Sequence, residues 1–344
     1  MYNPNVPFNL KELPPPFTLQ SHPNFMEILR IHNEALQAIS QLEGALNDLE
    51  RPSLFLSTFY LNESISSNAV ENIHTTIVSA LADQTKPADE RTNENKEVLN
   101  YRQALLEGTK SLKNYGLSSR TIKAIHQKLK INKGSPGEFR RIQNQIGNRK
   151  KNGTVEVIYT PPEANNVDLL ISNWEKFILE NDSFFPLIKA AICHYQFEAI
   201  HPFEDGNGRC GRILMIIQLL QDNLLRYPAL FISEYLSEHE DVYKKMLLRV
   251  TTHSEWWGFI EFMLTGFVIQ AKKTHIGILQ LKHAKKEVKT LLFTLGENPI
   301  RKSNVTAVLD HIFHNPVTHA KFMEKELGIH WQTCAKYLRE LSKL

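Results

Sequence analysis

The apolar residues near the start of the chain recur at three- and four-residue steps. This spacing places them on one face of an α-helix over residues 24–50. The residues in this pattern are Phe25, Ile28, Leu29, Leu36, Ile39, Leu42, Leu46 and Leu49. The same spacing predicts helices over 53–72, 92–113 and 118–130. The polar, proline-containing stretch ADQTKPADERTN predicts a loop between the helices over 53–72 and 92–113.

The pattern changes after residue 133. The stretch GSPGEFR is rich in turn residues, and the segment 154–159 (TVEVIY) is rich in β-branched and aromatic residues. Asn152 and Gly153 precede this segment, and both residue types tolerate positive φ. We therefore predict a small β-hairpin with its turn at these two residues, in a mainly α-helical protein.

Helical patterns resume in the second half of the chain. They cover 166–180, 185–200, 213–223 and 240–252, and a further one runs from 255 through the 280s. The stretch GENPIRKSN near residue 300 predicts a linker. The last stretch predicts a helix, a turn at Gly328 and a second helix, which is the helix-turn-helix pattern.

Composition limits the protein classes that fit. The 344 residues allow two or three compact units, and a net charge of +3 is too small for nucleic-acid binding by bulk attraction. Cys193, Cys210 and Cys334 form no CxxC pair, so neither a disulfide framework nor a zinc site is expected. Because no apolar run is long enough to cross a bilayer and the first residues do not resemble a signal peptide, we expect a cytoplasmic protein without a membrane partner.

The stretch HPFEDGNGRCGR, residues 201–212, concentrates charged, polar and glycine residues between two apolar stretches. Gly206 and Gly208 allow the backbone to approach a ligand closely, and the helix predicted to begin near Arg209 offers free N–H groups to an anion. Arg209 and Arg212 are three residues apart, so both reach one side of that helix. Two guanidinium groups beside such a turn suit a polyphosphate.

Two further side chains in this stretch suit phosphate chemistry. Asp205 lies beside the glycine turn, where a carboxylate would bind Mg²⁺ together with substrate phosphates. His201 ends the preceding helix, and a neutral imidazole is a general base for an attacking hydroxyl. The chain contains no Walker A loop, and a helix rather than a strand precedes the motif, which excludes a Rossmann fingerprint.

The stretch resembles the signature HxFx[DE]GNGRxxR of the Fic-domain family at every fixed position. PGEFRRIQNQIG and YTPPEANNVDLLISNWEKFI resemble the family's flap region, and KAAICHYQFEAIHPF resembles its helix before the motif. The resemblance implies a Fic-type helical core with a β-hairpin flap and a C-terminal winged-helix-like module. It divides the chain into an N-terminal helical region (1–112), a catalytic core (113–275) and that module (276–344).

The resemblance also implies the activity. Family members usually transfer AMP from ATP to a Tyr, Ser or Thr hydroxyl of a protein, with His201 as the base and Asp205 holding Mg²⁺. Arg209 would contact the β-phosphate and Arg212 the γ-phosphate, while Phe203 would fix the shape of the loop. The implied ATP-binding residues are Asp205, Gly206, Asn207, Gly208, Arg209, Cys210, Gly211, Arg212 and, by analogy, Tyr243 at the adenine. In this assignment Asn207 and the backbone N–H groups of 206–209 stabilise charge on the phosphate oxygens.

A second resemblance lies upstream. SSNAVENI, residues 66–73, is similar to the family's inhibitory signature [ST]xxxE[GN] through Ser67, Glu71 and Asn72. It implies a pair between Glu71 and Arg212 that occupies the γ-phosphate position. Two unit charges about 4 Å apart attract by roughly 4 kcal/mol at an effective dielectric of 20, which is enough to misplace ATP.

Several alternatives remain at this stage. The same site could remove AMP or transfer UMP or phosphocholine, and the chain could instead be a DNA-binding regulator with a vestigial core. Lys336, Arg339 and Lys343 are spaced to reach phosphates, but Glu340 dilutes their charge, so protein docking or homodimer formation is favoured over DNA binding for the tail. The resemblance implies that the hairpin binds a target segment as an added strand. Arg149, Lys150 and Lys151 beside its turn are interpreted as a solvated loop.

Overall fold

The computed structural model describes residues 2–131, 133–149, 154–180, 183–294 and 302–342. Within these ranges the fold is mainly α-helical, with one antiparallel pair of short strands. The elements are α1 Phe25–Asn47, α2 Pro52–Ala69, α3 Ile77–Gln84, α4 Asn93–Tyr115, α5 Ser119–Leu129, β1 Ile146–Arg149, β2 Val155–Tyr159, α6 Val167–Glu180, α7 Pro186–Ile200, α8 Asn207–Gln221, α9 Ser233–Glu238, α10 Glu240–His253, α11 Trp256–Thr294, α12 Lys302–His314, α13 Ala320–Leu327 and α14 Trp331–Leu341.

The centre of the molecule is the helix pair α7 and α8. Nearly every residue of α7 from Leu187 to Ile200 is buried, as is most of α8, because apolar residues occupy most positions on all sides of both helices. A helix of this kind lies in a core rather than at a surface. The two helices pack against each other, and α4, α5 and α2 cover α8. The short connection between α7 and α8 therefore projects from a rigid support.

The amphipathic helices form the outer shell. Helix α1 buries the stripe Ile28, Ile31, Ala35, Ile39, Leu42 and Leu46, and it packs along the 39-residue helix α11. Trp256 and Trp257 at the start of α11 pack on Phe17, and Trp256 also packs on Tyr195, so this tryptophan pair belongs to the core. The predicted helix over 24–50 and the long helix from 255 are both confirmed.

The predicted hairpin is present. Strand β1 pairs antiparallel with β2, from Ile146 opposite Tyr159 to Arg149 opposite Val155, with an irregularity between Ile146 and Gly147. The predicted turn at Asn152 and Gly153, with Lys150 and Lys151, lies outside the described residues, as does the side chain of Arg149. Tyr159 is buried and donates a hydrogen bond to the Ala199 carbonyl at the end of α7, which fixes the hairpin beside the α7–α8 connection.

Helix α12 packs against α2. The Arg51 guanidinium lies 2.8 Å from the Asp310 carboxylate, and the Ser57 hydroxyl donates to the His314 carbonyl over 2.6 Å. Helices α12, α13 and α14 share a small core of Val308, Leu309, Met323, Cys334 and Tyr337. Gly328 ends α13 with φ of 66°, as the predicted helix-turn-helix requires. Residues 296–301 of the linker predicted near residue 300 lie outside the described residues, as does Lys343, while residues 302–304 of that stretch belong to α12. The winged-helix assignment stays a prediction.

The predicted regional boundaries fall inside helices. Residues 112 and 113 lie within α4, and residues 275 and 276 lie in the middle of α11. Apolar periodicity continues across both positions, so the chain has no linker at either of them. The division into three regions stays a prediction. Among the described residues, no helix combines the length and apolarity needed to cross a bilayer.

Candidate active site

The motif spans the connection between the two buried helices. His201 ends α7 in the left-handed conformation, with φ of 49°, and its N–H donates to the Phe197 carbonyl. Gly206 precedes α8 with φ of 77°, a conformation that glycine adopts without strain. Helix α8 begins at Asn207, two residues earlier than predicted. Its free N–H groups therefore open directly onto the connecting loop.

A buried amide holds the loop in shape. The Asn207 Oδ1 accepts a hydrogen bond from the Phe203 N–H over 2.8 Å, and its Nδ2 donates to the Phe203 carbonyl over 2.9 Å. Both groups of this amide are thus engaged by the loop backbone, and Asn207 is 2% exposed. The side chain braces the loop instead of facing phosphate oxygens, and a contribution of residue 207 to nucleotide binding stays a prediction that rests on its backbone N–H.

Replacing Asn207 by alanine is expected to lower the free energy of unfolding by about 2 kcal/mol. The reason is that the buried N–H of Phe203 would lose its partner, while its C=O would keep only the hydrogen bond from the Asn144 Nδ2. Chemical denaturation followed by circular dichroism measures the change. Asn114, which is exposed near the end of α4, provides the control Asn114→Ala, which should change stability by less than about 0.5 kcal/mol. Equal stability of the two variants would contradict the bracing role.

Phe203 and His126 form a second support beneath the loop. The two rings stack with centroids 3.6 Å apart and planes within 2° of parallel, and Phe203 is fully buried. The His126 Nδ1 accepts from the Gly137 N–H, so its Nε2 carries the proton and donates to the Asp205 carbonyl over 3.0 Å. Burial lowers the pKa of His126 to about 4, which keeps the ring neutral. Sequence analysis missed His126 because its partner is 79 residues away.

His201 lines a cavity, and its ring has one nitrogen that can accept a proton. Its Nδ1 lies 3.3 Å from the Glu198 carbonyl, which orients Nδ1 as the donor and leaves Nε2 as the acceptor. Burial lowers the pKa of His201 to about 4, so the ring is neutral at pH 7. The Arg140 Nε donates to the His201 carbonyl over 2.9 Å and fixes this end of the loop.

The cavity has a volume of about 360 Å³ and lies between the hairpin, α10 and the motif. The hairpin contributes Ile146, Gly147, Ile158 and Tyr159, and α10 contributes Tyr243, Lys244, Leu247, Leu248 and Thr251. His201, Gly208 and Arg212 line its motif side, and Glu71 and Asn72 line it as well. An apolar wall opposite a charged end suits a ligand that is flat and apolar at one end and anionic at the other.

Arg212 is buried and held by the predicted upstream segment. Its Nε donates to the Ser67 hydroxyl, and its Nη2 donates to the Ser67 carbonyl and to the Glu71 carboxylate, each over 2.8 Å. Burial raises the pKa of Glu71, but the positive charge of Arg212 outweighs it, and the net pKa lies below its ordinary value. Glu71 is therefore ionised, and the predicted pair exists.

The segment that carries Glu71 differs from the prediction in one respect. Helix α2 ends at Ala69, not at residue 72, so Glu71 and Asn72 form an exposed turn after the helix. Asn72 is in the left-handed conformation with φ of 60°, which asparagine tolerates better than most residues and which prevents the helix from continuing. A Cβ atom at residue 208 would lie 2.3 Å from the Glu71 carboxylate, so only glycine at this position allows the approach.

Asp205 and Arg209 lie together at the mouth of the loop. The Asp205 Oδ1 accepts from the Gly206 N–H over 2.7 Å, and the Arg209 Nη2 lies 4.0 Å from the same oxygen. The Asp205 side chain is 41% exposed, so it is open to a cation. The described residues contain no cluster of three or more metal-ligating side chains. One accessible carboxylate still fits Mg²⁺, because substrate phosphates and water complete its coordination.

Three further predicted residues, Cys210, Gly211 and Tyr243, are packed around the site. Cys210 is fully buried in α8, with its thiol directed at the Ile122 carbonyl, and Gly211 backs onto Glu198. Neither Cys210 nor Gly211 lines the cavity wall described above. Tyr243 is 3% exposed and its hydroxyl pairs with the His194 Nε2 over 2.8 Å, while its ring lines the cavity. The predicted positions of all three residues near the nucleotide stay predictions.

The structure adds two acidic residues that the sequence analysis did not single out. Glu97 of α4 contacts Arg209, with its Oε2 2.5 Å from the Arg209 Nη1. Glu198 of α7 lines the cavity one turn before His201, and burial raises its pKa to about 7. Among the described residues, one oxygen of the Glu198 carboxylate is buried without a hydrogen-bond partner. Nothing local in the sequence marks either residue, because an isolated glutamate on a helix is usually solvated.

Comparison with known proteins places this site in context. Residues 116–219 match the Fic/DOC family model, and residues 29–110 match the model of the Fic/DOC family N-terminal region. "Protein adenylyltransferase Fic" of Culex quinquefasciatus is 26% identical over 236 residues, which cover 67% of this chain and 43% of that protein. The protein of the same name from Drosophila melanogaster is 27% identical over 212 residues, 60% of this chain and 40% of that protein. The chain therefore spans less than half of the length of these curated relatives.

Solved structures agree on the fold. A Fic family protein from Desulfovibrio desulfuricans superposes with a TM-score of 0.61 at 20% identity, over 94% of this chain and 92% of that one. Fic-1 from C. elegans superposes with a TM-score of 0.55 at 16% identity, over 76% of each chain. The chain belongs to the Fic/DOC family. This follows from the two matched regions, the shared helical fold and the motif between α7 and α8.

Proposed function

We propose that this protein transfers AMP from ATP to a hydroxyl group of a protein side chain, and that Glu71 restrains this activity. The observation that carries the proposal is the convergence of three groups on one cavity. These are the neutral imidazole of His201, the open N-terminus of α8 and the Arg212 guanidinium, all within the twelve-residue motif. The curated relatives named adenylyltransferases support the same chemistry.

The residues of the chain divide the reaction between them. The His201 Nε2 removes the proton from the attacking hydroxyl, whose oxygen forms a bond to the α-phosphorus of ATP. The bond from this phosphorus to the bridging oxygen breaks, and pyrophosphate leaves. The free N–H groups at the start of α8 stabilise the charge on the phosphate oxygens, and Arg209 and Arg212 bind the β- and γ-phosphates. Mg²⁺, held by Asp205 and the phosphates, would neutralise part of the phosphate charge when bound.

The restraint by Glu71 follows from its position. Its carboxylate lies in the same cavity as His201 and is bonded to the arginine that would bind the γ-phosphate. The Glu71 carboxylate would repel the γ-phosphate of ATP and would also occupy Arg212, the residue that binds it. ATP would then bind without its γ-phosphate in place, with the α-phosphorus poorly aligned for attack. Near-attack alignment is a large part of the rate in such reactions, so a misplaced ATP reacts slowly.

Incubation with α-labelled ATP and Mg²⁺ tests the proposal. Covalent label on the Glu71→Gly protein or on a target protein, with release of pyrophosphate, is the expected result. Label from γ-labelled ATP but not from α-labelled ATP would contradict AMP transfer. Absence of label in every form of the protein, together with salt-sensitive binding to duplex DNA, would favour the alternative of a DNA-binding regulator.

The pH dependence of transfer provides a further test. His201 acts as a base only when neutral, and burial lowers its pKa to about 4. Activity of the Glu71→Gly variant should therefore persist as the pH falls from 7 to 5.5, where an ordinary histidine would be about 90% protonated. The negative charge of Glu71 raises the pKa of His201, so the pKa should be lower still in the Glu71→Gly variant. This variant should therefore keep its activity at least as far into the acid range.

The measurement is kcat/KM for the labelling reaction between pH 4.5 and 8. The free-enzyme pKa of the essential base appears as the acid limb of this profile. A limb with its midpoint between pH 6 and 7 would contradict the lowered pKa of His201, while loss of the acid limb in the His201→Ala variant would identify His201 as the group that titrates.

A further inference from the structure

Each arginine of the motif contacts a carboxylate from an upstream part of the chain. Glu71 holds Arg212, and the proposed function already uses this contact. The second contact joins Arg209 of α8 to Glu97 of α4, residues that are 112 positions apart in the chain. Its role is not explained by the inhibitory segment, because α4 is a separate helix on the other side of the turn at residues 70–72.

The geometry of the Arg209 guanidinium indicates a fixed orientation. Its Nη1 lies 2.5 Å from the Glu97 Oε2, and its Nη2 lies 4.0 Å from the Asp205 Oδ1. The side chains of Arg209 and Glu97 are only 5% and 17% exposed. Among the described residues, the buried Nε of Arg209 has no partner, so Glu97 provides the closest contact of this charge. A short, charge-assisted hydrogen bond of this kind is directional and fixes the plane of the guanidinium.

Glu97 and Glu71 contact their arginines from different sides. Glu71 is 39% exposed and lines the cavity that contains His201. Glu97 lines a second cavity of about 320 Å³ on the far side of Asn72, together with residues 72–74 and with Asn93 and Glu94. The Glu71 carboxylate lies in the nucleotide cavity and competes there with a phosphate. The Glu97 carboxylate contacts Arg209 from the other cavity and leaves the opposite edge of the guanidinium available to a phosphate. That edge carries Nη2, which Glu97 does not contact and which lies 4.0 Å from the Asp205 Oδ1 beside the loop.

We infer that Glu97 is a positioning residue, which holds Arg209 so that its Nη2 faces the β-phosphate of a bound nucleotide beside Asp205. The inference rests on the proposed nucleotide site, but not on the transfer step. Without Glu97, the guanidinium would lose the contact that fixes its plane, and its long side chain would adopt other rotamers. A ligand with a β-phosphate should then bind more weakly, while a ligand without one should not be affected.

Isothermal titration calorimetry with ADP and AMP, on the full chain, tests the inference. ADP has a β-phosphate and lacks the γ-phosphate that Glu71 opposes, so the wild-type protein is a suitable reference. Glu97→Ala should weaken ADP binding by about tenfold, the value of one misplaced charge-assisted contact, and leave AMP binding unchanged. Glu97→Asp, which keeps the charge on a shorter side chain, should recover part of the loss.

The control is Glu94→Ala. Glu94 lies one turn earlier on α4, lines the same cavity and is exposed, so this variant removes a similar charge without touching Arg209. It should bind ADP like the wild type. Thermal unfolding of each variant shows whether the fold is intact.

The outcomes separate the possibilities. Tighter ADP binding by Glu97→Ala would overturn the inference and make Glu97 a competitor of the phosphate. An equal loss of affinity for ADP and AMP would overturn the inference as well, because the effect would not depend on the β-phosphate. Unchanged affinity for both nucleotides would overturn it too. If the wild-type protein binds ADP but transfers no AMP, the proposed function fails while the role of Glu97 is still decided. If the wild type binds neither nucleotide, both are wrong.

Discussion

Replacing Glu71 by glycine is expected to raise self-labelling with α-labelled ATP by about tenfold to a hundredfold. The 2.8 Å pair with Arg212 places a negative charge where the γ-phosphate would bind. The attraction between such charges is about 4 kcal/mol at an effective dielectric of 20. Because the Glu71 side chain is 39% exposed, solvent screening reduces the effective restraint to about 1.4–2.7 kcal/mol, which corresponds to the expected range.

The matched control for this prediction is Asn72→Gly. It alters the adjacent residue, and glycine accepts the positive φ found there, so the turn and Glu71 should remain in place. This variant should label itself as slowly as the wild type. If Asn72→Gly is activated as strongly as Glu71→Gly, disturbance of the turn, not loss of the carboxylate, is the cause. If Glu71→Gly is no more active than the wild type, the inhibitory interpretation is wrong.

Replacing His201 by alanine in the Glu71→Gly background is expected to reduce labelling by about a hundredfold to ten-thousandfold, the usual contribution of a general base. Binding of ATP should change little, because the imidazole contacts the attacking hydroxyl and not the phosphates. Single-turnover labelling together with nucleotide binding by calorimetry separates the two effects. A loss confined to KM, with kcat unchanged, would contradict the role of His201 as the base.

His253→Ala provides the comparison for this variant. His253 is exposed at the end of α10, away from the motif, and its loss should leave the labelling rate unaltered. Similar losses from both histidine variants would indicate an effect on folding or solubility. Thermal unfolding of the two proteins would identify such an effect directly.

The motif could be predicted from sequence because its members are close together in the chain. His201, Asp205, Arg209 and Arg212 fall within twelve residues, and a short loop between two helices leaves few arrangements for them. The pairing of Glu71 with Arg212 was accessible only through its resemblance to a known signature. Nothing in the local spacing of the two residues, which are 141 positions apart, would reveal their contact.

Other features depend on three-dimensional packing and could not be predicted. The Asn207 amide faces the loop because the backbone N–H and C=O of Phe203 both point at it, and this direction is set by the turn itself. Glu97 meets Arg209 only because α4 packs on α8. Helix α2 ends three residues before the predicted residue 72, and α8 begins six residues before its apolar pattern at 213, because the left-handed Asn72 and the turn at Gly206 set these ends rather than the apolar periodicity.

The location of Glu71 in a turn, beyond the end of α2, has a kinetic consequence. Ser67 holds Arg212 through two hydrogen bonds from within the helix, so rotation of residues 70–72 alone would free the guanidinium edge without moving the arginine. Turn motions of this size take nanoseconds to microseconds, far less than one turnover of a typical enzyme. Under the proposed inhibition, the open and closed turns would be in equilibrium before each reaction. The residual activity of the wild-type protein would then measure the open population directly, and a ligand would activate it in proportion to its preference for the open turn.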